Sequence, residues 1–90
     1  MSIKRWNARR DRNEESIVKA LRQVGALVIR ISEKGAPDLL VLHRQRVILL
    51  EIKTKQGRAT LAQEETSRQG WPVLTVRSID DALWAIEPAL

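Results

Sequence analysis

Ninety residues leave room for one core, and a hydrophobic fraction of 43% beside a charged fraction of 30% fits an ordered domain and argues against a disordered chain. No apolar run approaches the roughly 20 residues of a membrane span, no basic-then-apolar leader is seen, and the lack of cysteine excludes disulfides and Cys-ligated zinc, so the expected setting is intracellular. Lysine and arginine number 16 against 11 acids, and the formal charge of +5 points to a polyanionic partner, nucleic acid ahead of an anionic membrane surface.

The expected organisation is one domain over residues 1–90, in which 1–12, MSIKRWNARRDR, form a basic arm or the exposed start of the first helix. From Asn13 the spacing is helical. Ile17, Val18, Leu21 and Val24 form an apolar stripe that Glu14 continues toward the N-terminus, while Glu15, Lys19 and Arg22 face solvent. Gly25 is the stop signal. Residues 26–31 read as a strand and 32–36 as a polar turn. Two more apolar runs, 38–43 and 46–53, are split by Arg44-Gln45 and read as a hairpin. The run Val47-Ile48-Leu49-Leu50-Glu51-Ile52 is apolar on both faces, the mark of a central strand covered on both sides. Gln56-Gly57-Arg58 is a loop, and 60–69 a short helix closed by Gly70. Its residues Ala59, Ala62, Gln63, Thr66, Ser67 and Gly70 share one small-residue face suited to close packing on a sheet. Residues 73–77 form a fourth strand, and Ser78 caps a last helix to about Glu87, in which Trp84 reads as core with Ala82, Leu83 and Ile86. The order α-β-β-β-α-β-α implies an α/β fold, a mixed sheet of about four strands flanked by helices.

Two acids sit awkwardly for a structural role. Glu51 interrupts an apolar central strand, where an ionised carboxylate without a partner is costly, so a cation should lie beside it. Strand alternation puts Lys53 on the same face. With Arg44-Gln45 at the centre of the turn, residue n pairs with residue 89 − n. Leu42 then faces Val47, and Asp38 faces Glu51 at about 5 Å, close enough for two carboxylates to share one divalent cation. Arg-Gln lacks the Asn-Gly signature of a two-residue hairpin, and a slip of one residue would undo the pairing. Glu14, at the leading edge of its stripe, can reach the same pocket, although the helix dipole alone also favours an acid there. Thr60 and Gln63 match a capping box. His43 reads as decoration of the hairpin tip, Trp71 as packing or a stacking platform, and Trp6 as a stacking residue of the arm. Lys55 and Arg58, and after them Arg5, Arg9, Arg10 and Arg12, are candidate phosphate contacts.

Pro37-Asp38 followed, after twelve intervening residues, by Glu51-Ile52-Lys53 resembles the PD-(D/E)xK nuclease motif. Together with the acidic first helix, Gly35-Ala36 before Pro37, Gly57-Arg58, Gln63, Gly70 and Val76-Arg77-Ser78, it makes residues 13–87 resemble the VRR-NUC family of virus-type replication-repair nucleases. Archaeal-type Holliday junction resolvases are similar in the same segments, with a glutamate matching Glu14. The resemblance implies a restriction-endonuclease-like sheet and DNA phosphodiester hydrolysis with Mg²⁺ or Mn²⁺. It places Asp38, Glu51 and the Ile52 backbone carbonyl on the metal, Lys53 at the attacking water, and Glu14 on the same metal or a second. It also gives Gln63 an active-site role, which competes with its capping role for one side chain. Branched or four-way junction DNA, a homodimer, and a phage or prophage origin are the matching expectations. A non-catalytic nucleic-acid-binding protein on the same fold, or a flap or nicking nuclease, is the alternative.

Overall fold

The computed structural model describes residues 8–54 and 57–87, the side chains of 8–12 excepted. Helix α1 spans Ala8–Gln23, so the basic segment is already helical before the apolar stripe begins. There follow β1 (Leu27–Arg30), β2 (Leu39–His43), β3 (Arg46–Ile52), α2 (Leu61–Arg68), β4 (Val73–Val76) and α3 (Ile79–Ala85), the order and types that the sequence implies. The strands form one sheet in the order β1-β2-β3-β4. β1, β2 and β3 run antiparallel, joined by short connections, whereas β4 lies parallel to β3 because α2 carries the chain back across.

The β2–β3 hairpin takes the register centred on Arg44-Gln45, with Leu42 opposite Val47 and Leu39 opposite Leu50. Arg44 and Gln45 have φ of 52° and 67°, so both occupy the left-handed region that a type I′ turn requires. Neither residue favours that region. The turn is held because a slipped register would take Leu39, Val41, Ile48 and Leu50 out of the core, where all four are buried.

Alternation divides the sheet into two faces. One presents Val28, Leu39, Val41, Ile48, Leu50, Ile52 and Val76 to Ile17, Val18 and Leu21 of α1 and to Ala82 and Ile86 of α3, forming the core. The edge of β1 is blunted by Arg22, whose guanidinium donates to the Val28 carbonyl at 2.9 Å. Two assignments from the sequence fail here. Val24 lies past the last buried turn of α1 and is 49% exposed. Trp84 is 77% exposed, since α3 buries Ala82 and Ile86 and a residue midway between positions i and i+4 points to the opposite side of a helix. The second face of β3 is likewise covered only in part, with Val47 left open.

Leu50→Ala is expected to destabilise the domain by about 2–5 kcal/mol in urea unfolding, the range for a fully buried leucine. The double change Arg44→Asn with Gln45→Gly, which suits the positive φ values, is expected to stabilise it by about 1–2 kcal/mol.

Candidate active site

The hairpin positions the two acids through its hydrogen-bond parity. In a two-residue hairpin the residues flanking the turn form a hydrogen-bonded pair, and pairs alternate from there. Counting from His43 and Arg46, Leu39 and Leu50 form a hydrogen-bonded pair that ends the ladder, and one further step of the same register, a non-hydrogen-bonded one where side chains come closest, leads from β2 to Asp38 and along β3 to Glu51. Both acids are almost wholly buried, at 8% and 5% exposure.

One step further the ladder is altered in a specific way. Position 37 would exchange two hydrogen bonds with Ile52, but Pro37 has no N–H to give to the Ile52 carbonyl. The Ile52 N–H is taken by Asp38, whose Oδ2 accepts it at 2.7 Å. The Asp38 carbonyl in turn accepts from Ile31 N–H at 2.8 Å, which fixes the residue between two strands.

Lys53 follows Glu51 on the same face, and its Nζ lies 3.5 Å from Glu51 Oε2. Gln63 of α2 joins the pair: its Nε2 donates to Glu51 Oε2, and its Oε1 accepts from Lys53 Nζ. The same Oε1 accepts from the Thr60 N–H at 3.0 Å, while the Gln63 N–H donates to Thr60 Oγ1 at 3.1 Å, completing the capping box. The helix cap and the contacts with Glu51 and Lys53 therefore coexist in one side chain. An amide oxygen has two lone pairs, so one serves the helix end and the other the lysine.

Helix α2 buries none of its residues, and its seat on the domain is polar and close. Thr66 Oγ1 donates to the Gly35 carbonyl at 2.6 Å. A side chain at Gly35 would bring its Cβ to 3.2 Å from that of Ala62, and Gly35 itself has φ of +82°, so glycine meets both demands. The small-residue face of the helix thus rests on the β1–β2 connection.

Two concavities meet at Gln63. A pocket of about 140 Å³ is lined by Glu51, Lys53, Gln63, Thr75 and Arg77 among others, and a groove of about 670 Å³ by Glu14, Lys34, Asp38, Leu61 and Gln63. Glu14 shares that groove with Asp38, yet its carboxylate is held by Arg30 at 3.2 Å on the opposite face of the sheet. Among the described residues, no three His, Asp or Glu side chains converge enough to hold an ion by themselves. Arg58 is exposed beyond β3. Lys55, Arg5 and Trp6, and the side chains of Arg9, Arg10 and Arg12, lie outside the described residues.

Arg77 received no individual role from the sequence, only a place in the family pattern. Its guanidinium donates to the Thr54 and Gly57 carbonyls, the latter at 3.0 Å, and its N–H donates to Asp81 Oδ2 at 2.9 Å. It ties the loop after β3 to the end of β4. Only the parallel pairing of those strands brings the two together, so position in the chain carried little sign of it.

No protein-family model and no curated protein sequence matches the chain. A solved structure described as a VRR_NUC domain is similar to it, with a TM-score of 0.66 and 26% identity over 84% of this chain and 91% of that one. The mixed sheet with its flanking helices is thus the restriction-endonuclease-like α/β fold.

Gln63→Ala removes the helix cap and both contacts with the acid–lysine pair. It is expected to lower stability by about 1–3 kcal/mol in urea unfolding. Glu64→Ala, on the exposed side of the same turn, is expected to stay within about 0.5 kcal/mol.

Proposed function

The chain belongs to the VRR-NUC family of nuclease domains, and we propose that it is a Mg²⁺- or Mn²⁺-dependent endodeoxyribonuclease acting on branched DNA, above all four-way junctions. The observation that carries this reading is the burial of Asp38 and Glu51, each one residue beyond the Leu39–Leu50 pair that ends the β2–β3 ladder, with Lys53 beside Glu51. Two carboxylates beside one ammonium leave an excess of negative charge in a nearly dry site, which would attract a divalent cation. The donors are hard oxygens, which suits Mg²⁺ and Mn²⁺. In an antiparallel ladder the N–H and C=O of one residue share a strand edge, so the Ile52 carbonyl, with no donor from Pro37, is a third oxygen on the Asp38 side.

When bound, the ion supplies Lewis acidity toward the scissile phosphate. Lys53 orients the attacking water and stabilises the charge that develops on the phosphate oxygens. Gln63 holds Glu51 and Lys53 at a fixed separation. Glu14, across the groove from Asp38, is a reserve oxygen ligand that must first leave Arg30. Lys55 and Arg58, beyond the end of β3, and Arg9, Arg10 and Arg12 of the basic segment contact the phosphates on either side of the cut. The chain has no base-reading motif, so DNA shape rather than sequence selects the substrate. Resolving a four-way junction takes two cuts on opposed strands, and one chain carries one such site, so the working unit is a homodimer.

Labelled four-way junction, flap and linear duplex incubated with Mg²⁺, Mn²⁺ or EDTA test the reading. Cutting is expected with either metal, fastest on the junction, absent in EDTA, and reduced at least about 100-fold in Asp38→Ala, Glu51→Ala and Lys53→Ala. Tight junction binding with no cutting in either metal would leave a binding protein instead. Thermal unfolding reads the ion separately from activity. Mn²⁺ at about 100 times its Kd should stabilise the native chain by about 2.7 kcal/mol, and this gain should vanish in Asp38→Ala.

A further inference from the structure

The chain leaves β3 at Lys53, and the stretch from there to α2 is held at three points by other parts of the fold. At its start the Lys53 N–H donates to the Val76 carbonyl at 3.0 Å, which prolongs the parallel ladder by one bond. Next comes a turn that the Arg77 guanidinium grips. Its Nη1 donates to the Thr54 carbonyl and, at 3.0 Å, to the Gly57 carbonyl, while the Gly57 N–H closes the turn on the Thr54 carbonyl at 3.0 Å. The turn is tight, since a Cβ on Gly57 would stand 3.0 Å from Thr54 Oγ1 and 3.2 Å from the Thr54 nitrogen. At the far end Gln63 Oε1 accepts from both the Thr60 N–H and Lys53 Nζ. Arg77 is itself fixed, because its N–H donates to Asp81 Oδ2 and the Asp81 N–H donates to Ser78 Oγ in the cap of α3. Arg58, which is exposed, stands between Gly57 and Thr60, so its backbone is set relative to Lys53 from both sides.

We infer that Arg77 is a positioning residue, which holds the turn after β3 so that Lys53 and Arg58 meet neighbouring phosphates of one DNA strand. The proposal rests on the phosphate contacts of the nuclease reading and names what orders them. An arginine on a loose loop has to be ordered when DNA arrives, and that cost lowers its net contribution to affinity. Here the loop is ordered in advance. Both Nη1 contacts of Arg77 are to carbonyls of its own chain, so this part of the guanidinium completes a turn instead of meeting the substrate. A charged donor on a carbonyl is among the stronger hydrogen bonds, and two of them converge on one turn. The parallel pairing of β3 with β4 makes the reach possible, because it brings the C-terminal ends of both strands to the same side of the sheet.

Fluorescence anisotropy with a labelled four-way junction in EDTA reads binding apart from cutting. Arg58→Ala and Arg77→Ala are each expected to weaken binding about tenfold, the loss of one charged hydrogen bond. The double variant should bind within about twofold of Arg58→Ala, because the two changes remove the same contact. The slope of log affinity against log salt should be shallower by about 0.9 in all three. Losses that multiply to about 100-fold, with a second contact gone from the salt slope, would make Arg77 a phosphate contact in its own right and overturn the proposal. A folded Arg77→Ala that unfolds at lower urea but binds as the native chain does has a structural role alone, which also overturns it. Gly57→Ala strains the same turn without altering Arg77, and is expected to weaken binding to a similar extent with an unchanged circular dichroism spectrum. Should Arg77→Ala fail to fold, native affinity in Gly57→Ala overturns the proposal by itself. Metal-dependent cutting by the native chain beside multiplying losses upholds the nuclease reading and overturns the positioning role. A native chain that binds but never cuts, beside coincident losses, does the reverse, so the two failures are distinct.

Discussion

Everything in the site depends on a two-residue turn that its own residues disfavour. Left-handed backbone at two non-glycine positions costs roughly 1–2 kcal/mol each, and Arg44 and Gln45 both hold it. On the other side of the balance stand Leu39, Val41, Ile48 and Leu50, four buried side chains worth about 1.5–3 kcal/mol apiece. A shift of one residue would reverse their faces, so the core outweighs the turn and sets the register. That register also brings Asp38 and Glu51 one step beyond its last pair, Leu39 and Leu50. The packing of one face thus specifies the chemistry of the other, although no core residue touches the chemistry itself.

Pro37 and Asp38 then end the ladder in a way that a regular strand could not. A strand that stops leaves an N–H and a C=O at its margin, and a buried N–H without an acceptor is penalised by about 1–3 kcal/mol. The Asp38 carboxylate removes that penalty by accepting from Ile52, and in doing so fixes its own orientation. Pro37, by lacking an N–H, keeps the neighbouring carbonyl out of the ladder. Two adjacent residues therefore leave three oxygens, from Asp38, Glu51 and Ile52, at one end of the hairpin. This gives the Pro-Asp pair a physical reason that its appearance as a motif does not.

Much of this was legible in the sequence because it follows from local periodicity. Strand alternation placed Glu51 and Lys53 on one face, and a turn centre at Arg44-Gln45 was enough to give the register from His43–Arg46 to Leu39–Leu50, next to which Asp38 and Glu51 lie. What failed depended on distant contacts. The seven residues of α3 are too few for periodicity to choose between two faces, each with a large apolar residue, and Trp84 was assigned to the wrong one. The ion pair of Glu14 with Arg30 and the clamp of Arg77 on Thr54 and Gly57 join elements whose pairing no local pattern reveals. Gln63 was read as a choice between two roles because a sequence gives one letter per position, while the amide has an acceptor and a donor end that point to different partners.

Helix α2 shows how closely the site and the fold are joined. Eight residues with none buried are too few to hold a helix in water without outside contacts. Those contacts are polar and lie at the site: the capping box through Gln63, the bonds of that same side chain to Glu51 and Lys53, and Thr66 on Gly35. The groups that order the helix are therefore the groups proposed to do the chemistry. A charged pair sunk in an apolar sheet needs polar neighbours, and a short helix without a hydrophobic face needs anchors, so each supplies what the other lacks.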